Sequence, residues 1–153
     1  MHYGDDYFMR EALLLAEEAR RSGEVPVGAV VVANNEIIGR GYNKVITSSD
    51  PTAHAEIVAL RNTSSRINNY RLPGTILYVT LEPCCMCSGA IFHSRVSTLV
   101  YGTSDPKTGC AGGCLDLFSN KHLNHHTEVR GGILNKDCCD ILLDFFCKCR
   151  KEN

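Results

Sequence analysis

TILYVTLEPCCMCSGAIFHSRVSTLVY, residues 75–101, is the stretch whose reading decides the fold. Residues 75–81 are dominated by β-branched, aromatic and aliphatic side chains, which predicts a strand. Pro83 fits the first turn of a helix, and 84–94 reads as that helix. Residues 96–101 return to a β-rich run and predict a further strand. Upstream, 51–63 predicts a helix opened by Pro51-Thr52. Residues 27–33 read as a buried strand, Asn34-Asn35 as a turn, and 36–42 as a second strand. Residues 6–21 carry Phe8, Ala12, Leu15, Ala16 and Ala19 at helical spacing, and Ser22-Gly23 stops them. Downstream, 103–124 reads as a loop with a short helix. Residues 136–150 predict a last helix with Ile141, Leu142, Phe145 and Phe146 as its apolar face. Strands alternating with helices imply an α/β sandwich with helices on both sheet faces.

The chain of 153 residues fits one domain, 1–153. A net charge of −1 is not the composition of a nonspecific nucleic-acid binder, although a local basic patch remains compatible with a nucleic-acid substrate. No apolar run approaches the length of a membrane span. The N-terminal stretch, Met1 to Asp6, is acidic without an apolar core, so no secretory signal is expected and the cytoplasm is. In that setting nine cysteines point to metal or catalysis before disulfides.

Chemistry concentrates in His54-Ala55-Glu56 and Pro83-Cys84-Cys85-Met86-Cys87. Cys84 and Cys87, at i and i+3, share one face of a first helical turn, where the helix dipole favours thiolates. With His54 they make a three-ligand set for one zinc ion and leave its fourth position open to water. Glu56 is spare as a ligand and suits proton transfer. The bland alternative is a structural zinc completed by a fourth cysteine such as Cys85 or Cys114. A second pair of ligands is missing and a carboxylate stands beside the site, which favours catalysis. The arrangement H-x-E…P-C-x-x-C is a signature already known for the zinc nucleobase deaminases.

Further stretches follow in order: 24–30, Gly41-Tyr42-Asn43, 50–57, Tyr70-Arg71-Leu72, 77–84, 91–95 and Lys107-Thr108-Gly109. Together with the zinc motif they cover nearly the whole chain, which resembles the bacterial tRNA-specific adenosine deaminases of the cytidine/deoxycytidylate deaminase superfamily. The resemblance implies a three-layer α/β/α cytidine-deaminase-like sandwich with a central mixed sheet. It implies one zinc per subunit, a homodimer, and deamination of adenosine to inosine at the wobble position of a tRNA anticodon stem-loop; residues 91–95 are expected to form part of the dimer interface. It places Asn43 on the purine ring and Val25, Pro26, Ala55, Leu81 and Pro83 in the pocket wall. It sets Asp105, Lys107 and Thr108 beside the RNA and gives one of Phe145 and Phe146 to a nucleotide. A deaminase of free guanine, cytosine or cytidine shares the zinc mechanism and is the alternative.

Each assignment has a plainer counterpart. Asn43 also suits an ordinary turn, and Asp-Pro-Lys-Thr-Gly at 105–109 has good turn chemistry. Phe145 and Phe146 both fit a helical apolar stripe. Lys148, Arg150 and Lys151 fit a solvated helix end, and His122, His125 and His126 read as surface residues rather than a second metal site. Cys85 falls off the face of Cys84 and Cys87 and is expected to be a buried thiol. Cys110 and Cys114 stand in the loop after Gly109, and Cys147 and Cys149 thin the basic C-terminal face.

Overall fold

The hairpin 28–42 begins the sheet in the computed structural model, which describes residues 2–123 and 125–152. Met1 of the acidic N-terminal stretch and Asn124 at the end of the predicted 103–124 loop lie outside the described residues, as does Asn153. Strands β1 (Gly28–Ala33) and β2 (Glu36–Tyr42) pair antiparallel across Asn34 and Asn35, both left-handed at φ 51° and 61°. Two such residues give the turn whose twist matches the flanking strands. β1 also pairs antiparallel with β3 (Ile76–Leu81). β4 (Thr98–Thr103) joins β3 in parallel, and β5 (Glu128–Arg130) joins β4 in parallel. The sheet is therefore mixed, in the order β2-β1-β3-β4-β5.

The central strands are buried on both faces, which is why they read as apolar runs rather than as alternation. Ala29, Val31, Leu77, Val79 and Leu99 face one layer, packed with Ala55, Ala59 and Leu60 of α2 (Ala55–Ile67) and Ile91 of α3 (Cys85–Ser94). Val30, Val32, Tyr78 and Val100 face the other, packed with Phe8, Met9 and Ala12 of α1 (Asp5–Arg21) and Cys138 of α4 (Asn135–Glu152). This is the three-layer α/β/α sandwich that the resemblance implied.

Four details depart from the sequence reading. The helix expected from Pro51 starts at Ala55, because Asp50 Oδ1 accepts from both the Thr52 N–H (2.9 Å) and the Thr52 hydroxyl (2.7 Å) and holds 50–53 as a turn. His54 thereby becomes the N-cap residue of α2. The short helix expected within 103–124 does not form among the described residues; glycines and turns fill the stretch, with one isolated bridge between Ala111 and Asp116. β5 was not expected, being three residues on an edge with only Val129 half-buried. α2 also runs on to Ile67, four residues past the expected end at 63, and the remaining boundaries agree within two residues.

Close packing of α2 on the hairpin sets the site. A Cβ on Gly41 would run into the Ala59 amide and the Ala55 carbonyl, so only glycine lets the helix start lie this near β2. α2 and α3 then both begin at the same end of the sheet, where β3 ends.

Candidate metal centre and base pocket

His54 and Cys84 are the N-cap residues of α2 and α3, so two helix N-termini converge where β3 ends. The Nδ1 atom of His54 lies 3.6 Å from Cys84 Sγ and 3.5 Å from Cys87 Sγ. All three ligand atoms fall within 4.8 Å of one another, and among the described residues this is the one cluster of its kind. Cys85 and Cys114 are exposed and stand outside it, so no fourth cysteine completes a structural site.

The donor set fits a zinc ion on its own chemistry. The hydrogen bond with Cys87 lowers the Cys84 thiol to about 4 against the effect of burial, and His54 adds to the lowering. Cys87 is raised, first by that same hydrogen bond and then by burial. His54 is raised by its hydrogen bond with Cys84. Two sulfurs and an imidazole nitrogen thus crowd into one small space, and a divalent cation is what such a donor set accepts. The closed count of three leaves a fourth position free.

Glu56 is one residue into α2, 4% exposed, and burial pushes its carboxyl up to about 7. A carboxyl held near neutrality can both take and return a proton. It lines a cavity of about 170 Å³ with Val25, Val27, Asn43, His54, Ala55, Leu81, Glu82, Cys84, Asp105 and Thr108. Asn43 is buried, its amide N–H donates to the Val25 carbonyl at 3.3 Å, and its side-chain oxygen has no protein partner. That oxygen is a buried, unpaired acceptor on a residue that lines the cavity. Pro26 and Pro83 are buried but stand behind the wall, their neighbours Val25, Val27, Leu81, Glu82 and Cys84 facing the cavity.

The cavity opens onto an apolar groove of about 750 Å³ between residues 103–108 and α4. Val25, Leu81, Asp105 and Thr108 line both spaces. Lys107, Leu142, Leu143, Phe146 and Arg150 also line the groove, whereas Phe145 does not. The two phenylalanines pack edge to face at 5.4 Å, with Phe145 half-buried and Phe146 exposed. Asp105 fulfils its turn role: Oδ1 accepts from the Lys107 and Thr108 N–H groups at 3.0 and 3.2 Å, and Oδ2 from the Thr108 hydroxyl at 2.7 Å.

Cys85 corrects the expectation of a buried thiol. With Cys84 and Cys87 turned inward, the residues between them on the first turn point outward, and both Cys85 and Met86 are exposed. Cys110 and Cys138 are buried, and burial pushes their thiols up to about 11 and about 12, which makes them inert packing groups. Cys139 and Cys149 line the groove, and Cys147 is exposed. His125 is half-buried, with Nε2 2.8 Å from the Val96 carbonyl, while His122 and His126 are exposed; they form no metal cluster among the described residues.

Two buried carboxylates escaped the sequence reading. Glu24 accepts from the Ile46 and Thr47 N–H groups at 3.1 and 2.7 Å. Glu82 accepts four bonds from the loop after β4. A charged residue closing a buried β-run was the available signal for Glu82, together with the crowding of glycines at 109–113.

The family described as the cytidine and deoxycytidylate deaminase zinc-binding region matches residues 3–103. The chain is 53% identical over 149 residues to the tRNA-specific adenosine deaminase of Haemophilus influenzae, covering 97% of this chain and 86% of that one. A solved structure from studies of A-to-I editing by tRNA:A34 deaminases at the wobble position superposes with a TM-score of 0.86 and 40% identity, over 89% of this chain and 99% of the other. A guanine deaminase from Bacillus subtilis superposes at 0.64 with 40% identity, over 67% of this chain and 66% of the other.

Proposed function

This chain belongs to the zinc-dependent cytidine and deoxycytidylate deaminase family and, in it, to the tRNA-specific adenosine deaminases, and on that premise we propose that it hydrolyses the wobble adenosine of tRNA anticodon stem-loops to inosine. The observation that carries the reading is the three-ligand cluster with Glu56 beside it, at the floor of a base-sized cavity that opens onto a groove bearing Lys107, Phe146 and Arg150.

His54, Cys84 and Cys87 would hold a zinc ion, which would supply the Lewis acidity that makes water nucleophilic near neutral pH. Glu56 takes one proton from the water as its oxygen bonds to C6 of adenine, and delivers it to N1. Glu56 then takes the remaining hydroxyl proton and delivers it to the amine, the C6–N bond breaks, and ammonia leaves with inosine remaining. The orphaned oxygen of Asn43 grips a donor on the edge of the base, while Val25, Ala55 and Leu81 pack its faces. Anticodon loops are single-stranded, so extruding the base costs little. Lys107 and Thr108 meet the flanking backbone, and Phe146 offers a ring for a neighbouring base.

Two assignments accompany this reading. The protein works in the cytoplasm, where its RNA is; none of its described helices is long and apolar enough to cross a membrane. It works as a homodimer with 91–95 in the interface, supported by an apolar recess of about 300 Å³ beside His93 and Ser94 that also takes in the exposed Tyr70.

Deamination of a free base or nucleoside is the second reading, favoured by the guanine deaminase likeness and by a cavity that would hold a lone base. One assay separates them. Zinc-loaded protein is incubated with a stem-loop bearing a wobble adenosine and, in parallel, with free adenosine, guanine and cytidine. Inosine in the stem-loop alone is the expected result. Ammonia from a free base or nucleoside alone keeps the zinc mechanism and overturns the tRNA substrate.

A further inference from the structure

We propose that Glu82 is a positioning residue for the RNA-facing rim of the pocket: its carboxylate holds the 104–113 loop in the shape that receives the substrate flanking the reacting base. The inference rests on the tRNA reading above.

Glu82 closes β3 and is 2% exposed. Its Oε1 accepts from the Ser104 hydroxyl and the Asp105 N–H, both at 2.9 Å. Its Oε2 accepts from the Ala111 and Gly113 N–H groups, both at 2.8 Å. Among the described residues no lysine, arginine or histidine pairs with it. The charge is therefore satisfied by the loop itself, and the loop takes its shape by wrapping a charge. A Cβ on Gly109 or Gly113 would strike this carboxylate, so the wrapping needs glycine at both places. Beside it the Cys110 N–H donates to the Pro83 carbonyl at 2.9 Å, joining the loop to the segment that carries Cys84.

The two halves of the carboxylate serve different parts of the loop. Oε2 holds the far side, 111–113. Oε1 holds Ser104 and Asp105, where the rim begins. Asp105 in turn fixes Lys107 and Thr108 through the bonds described above, and Asp105 and Thr108 line both the cavity and the groove. Glu82 thus reaches the RNA side of the pocket through two layers of hydrogen bonds, without being needed for proton transfer.

Glu82→Gln separates these halves. The amide oxygen can replace Oε2 and keep Ala111 and Gly113. The NH2 group then faces Oε1's donors; the Ser104 hydroxyl can turn to accept, but the Asp105 N–H cannot. The zinc-loaded variant is expected to show KM for the wobble-adenosine stem-loop raised about tenfold, with kcat within about twofold of the parent, which is the size and pattern of one lost charge-assisted hydrogen bond felt only in binding. Zinc content stays at the parent level, and amide exchange rises at Asp105 while Ala111 and Gly113 stay protected. Gly113→Ala, whose Cβ would strike the Asp105 carbonyl and this same carboxylate from the loop side, is expected to give the same split and stands in if Glu82→Gln does not fold. A fall in kcat with KM unchanged, or loss of zinc, overturns the proposal, because Glu82 would then act on the floor. Should the parent protein leave the stem-loop untouched, the tRNA reading fails by itself. Amide exchange then decides for Glu82 alone, and unchanged exchange at Asp105 overturns its positioning role.

Discussion

The floor and the rim of the pocket are built on opposite plans. The floor is made by two helix N-termini brought together by the sheet: His54 and Glu56 on one, Cys84 and Cys87 on the other, with Glu56 almost without solvent. The rim is an exposed loop with neither helix nor strand of its own, shaped around one buried charge and facing α4 across a groove. Chemistry needs atoms fixed against one another, and helix starts fixed by packing deliver that. Recognition of a larger substrate needs surface, and a loop tied at a few points delivers that. On the proposed mechanism the difference is expected to separate rate from affinity, with changes on the floor acting on kcat and changes on the rim on KM.

The largest expected break is at the floor. Glu56→Gln keeps shape and leaves all three ligand atoms in place, so zinc content measured by metal analysis stays at the parent value. On the proposed mechanism kcat on the stem-loop falls by about two to four orders of magnitude, the range for removing a general acid and base. Zinc lost along with activity would instead make Glu56 part of the metal site. A smaller effect belongs to the groove. Phe146, 44% exposed, offers a free face, and Phe146→Ala is expected to raise KM by about tenfold with kcat nearly kept, as for one lost stacking contact. Phe145→Ala removes a half-buried ring outside the groove and is expected to lower Tm while KM stays, so titrating both variants in one binding assay sharpens the assignment.

The same contrast explains what was legible in the sequence. His54, Glu56, Cys84 and Cys87 sit in two short motifs whose spacing is a local property of helix starts. Strands β1 to β4 and the two helical layers followed from apolar runs and helical periodicity, whereas their order in the sheet did not. The rim was legible only as turn chemistry at 105–109. Glu82 finds its partners 22 to 31 residues along the chain, and no local period encodes such a contact. β5 escaped because three residues on an edge, only one of them half-buried, carry no pattern. The start of α2 was misplaced because Pro51-Thr52 resembles a helix opening, while the Asp50 side chain turns it into a cap for a later one.

The smallest effect tests whether buried glutamates act alike wherever they lie. Glu24 resembles Glu82 in burial and in accepting loop amides, but its partners Ile46 and Thr47 line neither cavity nor groove. Burial alone would raise its carboxyl; the Thr47 and Ile46 N–H groups outweigh burial and hold it below the usual 4.5. A carboxylate depressed in the folded state adds stability that is fully present above its unfolded value. That stability is lost as the pH falls through the lower folded value, so it disappears below about pH 4.5 and not on the alkaline side. Glu24→Gln is expected to cost about 1–3 kcal/mol at pH 7, to flatten the fall of Tm between pH 5 and pH 3, and to leave KM for the stem-loop unchanged. Thermal melts across that range, set beside the KM of the same preparation, separate a clamp that only stabilises from one that also shapes a binding surface. A KM shift in Glu24→Gln as large as that in Glu82→Gln would mean that loop order anywhere near the pocket governs affinity, and the rim would lose its special standing.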